Sequence, residues 1–253
     1  MNRYLPDNDE PSQKFYETVH ETYFPLAQSM HSFLQSDRFT KCLDILEQIH
    51  PANLLEIGFE DPTLSSKIVD RLGTRYVGVD ISEISVKEAI KLGLEAFALD
   101  VSSQTLPFAD STFEMIYCSE VLEHLFNPDF AIEEFKRVLK PRGRLLLTTP
   151  NLAAWYNRLL LLAGIQPVAT EVSTLHILGR VTKSLGQGNR PVGHIRVFTY
   201  RALMDFLSLH HLRTVELKGY ALESLGKLVS LDKTLSRLPQ FASGIIALTE
   251  KMG

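Results

Sequence analysis

Apolar and polar positions change their period near residue 51. Before it, apolar residues recur every three or four positions, first Phe15, Val19, Tyr23 and Leu26, then Phe39, Leu43, Leu46 and Ile49. That is the stripe of amphipathic helices, which predicts a helical cap ahead of the main body. After it, short apolar runs alternate with helical stretches. NLLEIG (53–58), RYVGVDI (75–81), EAFALDV (95–101) and FEMIYCSEV (113–121) read as strands, and RGRLLLTTPN (142–151) as a turn and a strand. Residues 62–72, 82–93 and 128–139 read as helices between them. Asp61 and Ser82 stand at N-cap positions, Pro62 at a first helical position, Asn127-Pro128 at a third helix start and Gly93 at a stop.

Apolar strands separated by helices of about three turns predict an α/β protein, with a doubly wound, mostly parallel sheet covered on both faces. Beyond residue 151 the pattern loosens. Residues 152–163 read as an apolar helix, and 164–193, rich in Gly, Thr, Ser and Asn, as a long loop over the site. FTYRALMDFLSLH (198–210) is a helix, RTVELKGYAL (213–222) and SGIIALTEK (243–251) are an antiparallel strand pair, and 223–238 is amphipathic. The expected division is a helical extension (1–50), an α/β core (51–151), a lid or substrate insertion (152–197) and a C-terminal helix with strands completing the sheet (198–253).

Composition narrows the function classes. The chain has 253 residues, 45% hydrophobic and 22% charged, which is ordinary for a globular fold. A net charge of −4 argues against a nucleic-acid partner held through phosphates. No run of about 18 apolar residues predicts a membrane span. The polar N-terminus carries no secretory h-region. Cys42 and Cys118 match no metal spacing and read as packed, reduced thiols. A cytoplasmic location is expected.

In a doubly wound sheet the ligand site lies at the carboxyl ends of the strands. That gives weight to Glu56–Pro62, Asp80, Asp100-Val101, Ser119–His124 and Thr149–Asn151. Asp80 follows Gly58 by about 20 residues, the distance at which an acid meets ribose hydroxyls in nucleotide-binding units. As a helix cap it would serve structure alone.

The ordered set LLEIG, YVGVDIS, ALDVSSQTLPFADSTFEMIYCSEVLEHL and EEFKRVLKPRGRLLLTTPN resembles the class I S-adenosylmethionine-dependent methyltransferases. It is most similar to the branch of small-molecule and ubiquinone-biosynthesis O-methyltransferases. The resemblance implies a seven-stranded Rossmann-like sheet, S-adenosyl-L-methionine as cofactor, and a small-molecule, lipid-linked or glycan-precursor acceptor, with peripheral membrane association left open. It implies that Glu56 to Gly58 face the methionine part, that Asp80 binds the ribose with Ile81 near the adenine, and that Asp100 and Val101 contact the adenine. Ser119 and Glu120 would lie beside the sulfonium and the acceptor. Pro107 and Phe108 would pack, and Asp110-Ser111 would turn.

Glu120, Glu123 and His124 in SEVLEHL, with His194 in GHIRVF, are the candidates for proton chemistry. His124 is either a general base or a packed residue that orients its loop. His194 is either a base or substrate contact, or a loop anchor, and Arg196 beside it suits an acidic substrate group. Glu120, His124 and His194 are taken as the catalytic set, and no metal ligands are assigned, although Glu and His here suit a divalent ion. His176, His210 and His211 read as surface or helix-end residues. The loop LLEIGFEDPTLSS departs from the family pattern, with Glu60 and Pro62 where second and third glycines stand. Glu60 adds bulk and negative charge, and Pro62 lacks an N–H. An inactive methyltransferase-like partner or scaffold module is therefore the alternative function.

Overall fold

The computed structural model describes residues 36–59, 61–179 and 191–252. Seven strands form one sheet: β1 (Asn53–Ile57), β2 (Arg75–Asp80), β3 (Ala96–Ala98), β4 (Phe113–Ser119), β5 (Leu139–Pro150), β6 (Leu212–Tyr220) and β7 (Gly244–Lys251). Their order is β3-β2-β1-β4-β5-β7-β6. β1 to β5 pair in parallel, and β7 runs antiparallel between β5 and β6. The order reverses between β1 and β4, which makes their carboxyl ends the switch-point crevice.

The helices are α1 (Asp37–Ile49), α2 (Pro62–Leu72), α3 (Glu83–Lys91), α4 (Pro128–Val138), α5 (Trp155–Leu162), α6 (Tyr200–Leu209) and α7 (Val229–Leu235). Strand alternation divides the core. Leu54, Tyr76, Met115, Leu146, Ile246 and Leu248 face α1 and α2 through Phe39, Ile45, Leu46 and Ile68. Leu55, Val77, Ile116, Leu145, Leu147 and Ala247 face α4 and α6 through Ile132, Phe135, Leu203 and Leu207.

The helix starts follow local capping chemistry. Asp61 accepts the Thr63 N–H with Pro62 at the first turn, Ser82 accepts the Ser85 N–H, and Asn127 accepts the Phe130 N–H. Cys42 and Cys118 are unpaired and buried, and burial pushes the Cys42 thiol up to about 12. Phe108 packs edge-on against Phe97 and Phe113, and Ser111 turns at a φ of 56°. Expected Phe15, Val19, Tyr23 and Leu26, together with Glu60, lie outside the described residues.

Several expected boundaries are corrected. β3 is three residues rather than 95–101, because Asp100 accepts hydrogen bonds from Ser102 N and Ser103 Oγ and turns the chain away. β5 begins at Leu139, ahead of the expected 142, and the turn expected at the start of RGRLLLTTPN persists inside it: pairing with β4 jumps from Leu139 to Arg144, and Arg142 has a φ of 61°. α5 begins at Trp155 rather than 152, because the Asn151 side chain accepts the Ala153 N–H and holds a turn there. Of the two readings held for His210, surface or helix end, the structure bears out the second, since it caps α6. It is buried, with its ring nitrogens 2.7 Å from Glu133 Oε1 and 3.0 Å from Asp129 Oδ1, and so fastens the end of α6 to α4.

Candidate active site

The first wall of the crevice is the end of β1. Gly58 has a φ of 71°, a left-handed conformation that glycine adopts without strain. A side chain there would run into Val121 Cγ2, so the β1 and β4 loops close on one another at this point. Phe59 is buried against Val86 and Ala89 of α3. Glu56 is 5% exposed and accepts a 2.8 Å bond from Tyr76 OH. Burial pushes its carboxyl up to about 7, with the Ser65 and Tyr76 hydrogen bonds acting the other way.

Asp80 ends β2, and its Oδ1 accepts the Ser82 N–H at 2.8 Å. Half-buried Ile81 follows it, and Val101 is buried in the turn that Asp100 organises. Asp80, Ile81, Asp100 and Val101 thus stand at the carboxyl ends of adjacent strands, on the β1 side of the switch point.

The second wall is the end of β4. Ser119 Oγ lies 3.0 Å from Thr148 Oγ1. Glu120 follows with a φ of 56°, a strained value for a residue with a side chain. Its carboxylate receives Thr148 Oγ1 at 2.7 Å and Tyr220 OH at 2.9 Å, and pairs with Arg38 Nη1 at 3.1 Å. Three distant elements therefore fix one side chain.

One turn on, a short 3₁₀ helix (Leu122–His124) presents Glu123 and His124. Glu123 is fully buried. Its Oε2 accepts Thr149 Oγ1 at 3.1 Å, while Oε1 has no hydrogen-bond partner among the described residues. Burial, then the Glu120 charge, hold this carboxyl well above the ordinary range. His194 Nε2 lies 3.9 Å from Glu123 Oε1. The His124 and His194 rings stand 4.8 Å apart. His194 Nδ1 meets the Ala169 carbonyl at 2.8 Å, and His124 Nδ1 meets the Gly193 carbonyl at 3.1 Å. A carbonyl can only accept, so each ring donates its Nδ1–H there. Burial, then His194, push His124 down to about 3, which keeps it neutral. Ligand atoms of Glu123, His124 and His194 lie within 4.8 Å of one another.

The structure thus brings His124 and His194 together with Glu123 beyond β4, while Glu120, at the end of the same strand, is held on a separate set of partners, Thr148, Tyr220 and Arg38. Arg196 Nη1 donates to the Leu125 carbonyl at 2.6 Å, the backbone contact of a loop anchor, one of the two readings held for this segment. Thr149 lies in a strand end that the sequence singled out, whereas sequence reasoning missed Arg38, Tyr220 and Glu171. Glu171 accepts the N–H groups of Val192, Gly193 and His194, and so holds the His194 loop. No local motif marks these residues, because each acts across many positions.

A doubly wound sheet with acids at the ends of β1, β2 and β4 defines a binder of a nucleoside-type ligand. A family model described as a methyltransferase domain matches residues 55–147. The ubiquinone biosynthesis O-methyltransferase of Idiomarina loihiensis is 30% identical over 182 residues, covering 67% of this chain and 68% of that protein. Among solved structures, the [4+2]-cyclase SpnF superposes with a TM-score of 0.62 at 15% identity, over 95% of this chain and 96% of that one. A Burkholderia thailandensis 1,6-didemethyltoxoflavin-N1-methyltransferase, with bound S-adenosylhomocysteine, gives 0.56 at 14%, over 98% and 94%. The structural likenesses speak for the fold. The chain belongs to the class I S-adenosylmethionine-dependent methyltransferases, and S-adenosylmethionine is its cofactor. The residues present suit that group, since Gly58 holds a left-handed turn at the end of β1 and the strand-end carboxylates offer acceptors for hydroxyl and amino donors.

Proposed function

We infer that the chain transfers the methyl group of S-adenosylmethionine to an oxygen of a small hydroxylated acceptor. The observation that carries this is the meeting of Glu123, His124 and His194 beyond β4, beside the Gly58–Val121 closure. A hydroxyl must lose its proton to become a good nucleophile, and His194 is the group of this cluster placed to accept it. The relative named an O-methyltransferase supports an oxygen acceptor.

When bound, the cofactor supplies a methyl group made electrophilic by its sulfonium. Asp80 takes the ribose hydroxyls, Asp100 and Val101 the adenine with Ile81 packed near it, and Glu56 and Gly58 the methionine end. Ser119 and Glu120 line the sulfonium side. His194 Nε2 receives the acceptor proton, because Nδ1–H is engaged at Ala169. His124, which burial keeps neutral, orients its loop through Gly193. A lipid-linked or glycan-precursor acceptor fits the same chemistry. Exposed Leu159, Leu161 and Leu162 on α5 support peripheral association with an apolar one. Two buried, unpaired thiols support a reducing, cytoplasmic setting.

Methyl-labelled cofactor and a panel of catechols test the reading. Label is expected in an aryl methyl ether. His194→Gln is expected to lower kcat by about a hundred-fold or more while cofactor affinity stays within about two-fold. Label confined to nitrogen or carbon acceptors would sink the oxygen assignment. Failure to bind the cofactor at all would favour the inactive, partner-module reading.

A second reading makes Glu123, His124 and His194 ligands of a divalent ion that polarises the hydroxyl. The buried Glu123 Oε1, without a hydrogen-bond partner among the described residues, favours it. Chelator-treated protein titrated with Mg²⁺, Mn²⁺ and Zn²⁺ would bind one equivalent, and Glu123→Gln would abolish it. No heat with any of the three removes this reading.

A further inference from the structure

Arg38 lies in the first turn of α1, outside the residues matched by the methyltransferase-domain model. Its neighbours deliver it to the crevice. Asp37 Oδ2 accepts the Ala221 N–H at 2.8 Å, the Asp37 N–H donates to Glu223 Oε1 at 2.8 Å, and Lys41 Nζ donates to the Gly219 carbonyl at 2.8 Å. These bonds staple α1 to the end of β6. The staple places the Arg38 guanidinium 3.1 Å from Glu120 Oε2 and 5.8 Å from the centre of the Tyr220 ring. Glu120 in turn sits next to Val121, the residue that closes on Gly58 at the switch point.

That arrangement raises a charge question. Methyl transfer disperses the sulfonium charge, and the product is a neutral thioether. An uncompensated carboxylate beside the sulfur would hold the cationic ground state more tightly than the transition state, and so would slow the reaction. The chain supplies a cation and two hydroxyl donors to that carboxylate instead.

We propose that Arg38 is a positioning residue of the methyl-transfer site, which anchors and charge-balances Glu120 so that this acid does not favour sulfonium over thioether. The proposal rests on the cofactor reading above, with Ser119 and Glu120 at the sulfonium. Its logic needs no particular acceptor. A residue of the helical extension thereby tunes the crevice from outside the methyltransferase domain.

Calorimetric titration with S-adenosylmethionine and with S-adenosylhomocysteine gives the test, read as the ratio of their dissociation constants. In Arg38→Met the preference for the sulfonium is expected to rise about five-fold or more, the effect of unmasking one charge at short range even under full solvent screening. Arg38→Lys keeps the cation and is expected to stay within about two-fold of the parent ratio. In a Glu120→Gln background, Arg38→Met is expected to leave the ratio unchanged. A purely structural staple would weaken both ligands together and would not move the ratio. If Arg38→Met does not fold, Arg38→Gln carries the same prediction. An unchanged ratio with both ligands bound overturns the proposal, as does the same shift in the Glu120→Gln background. A parent protein that binds neither ligand instead overturns the cofactor reading itself, and this inference with it.

Discussion

At the scale of single residues, buried acids decide how the site responds to pH. Glu56 keeps its proton up to about pH 7 when folded, against 4.5 for the ordinary carboxyl. Between those values the folded chain holds a proton that the unfolded chain has released. The stability tied to this proton is therefore complete below 4.5, declines as pH rises, and is lost above about 7. Glu56→Gln removes the loss. The cofactor-free variant is expected to gain up to about 3 kcal/mol over the parent at pH 8 relative to pH 4. Denaturant melts across that range check it, and parallel stability curves would contradict it. Gly58 is the second residue-scale determinant. Gly58→Ala meets both an unfavourable φ and Val121. It is expected to cost about 1–3 kcal/mol and to weaken cofactor binding by more than its loss of stability explains.

At the scale of elements, the second half of the fold hangs on buried polar links. Asp232 of α7 is fully buried and accepts hydrogen bonds from Trp155 Nε1 of α5, the Leu222 N–H and Ser243 Oγ at 2.7–2.8 Å. Asp232→Ala leaves three donors without their acceptor, and thermal melts are expected to report a loss of about 3 kcal/mol. A loss under about 1 kcal/mol would mean that water replaces the carboxylate. The elements themselves were largely legible in the sequence. Period, caps and breakers locate β1, α2, β2 and α3 within a residue or two, because those signals are local. The insertion of β7 between β5 and β6 was not legible, since pairing order is a property of the sheet and leaves no mark on either strand. His210 stands at the helix end expected of it, but its burial was not legible for the same reason: its carboxylate partners on α4 lie about eighty residues away in sequence.

At the scale of the molecule, the site is assembled from the matched domain and from segments outside it. Strand-end acids at Asp80, Asp100 and Glu120 follow from the winding of the sheet, so sequence order alone located them. Arg38 on α1, Tyr220 on β6 and Glu171 beyond α5 reach the same place only through the tertiary fold. No helix among the described residues is long and apolar enough to cross a membrane. Glu60, which prompted the alternative of a lost cofactor site, lies outside the described residues. Its neighbours bear on the loop: Gly58 keeps the left-handed turn, and Pro62 begins a helix capped by Asp61.

Calorimetric titration of the full chain with S-adenosylmethionine tests the central claim most directly. The account predicts one saturable site, with affinity reduced about ten-fold or more in Asp80→Ala, since two ribose hydrogen bonds to a charged acceptor are lost. A folded parent protein that takes up no cofactor at millimolar concentration, or an Asp80→Ala variant that binds as tightly as the parent, would contradict it.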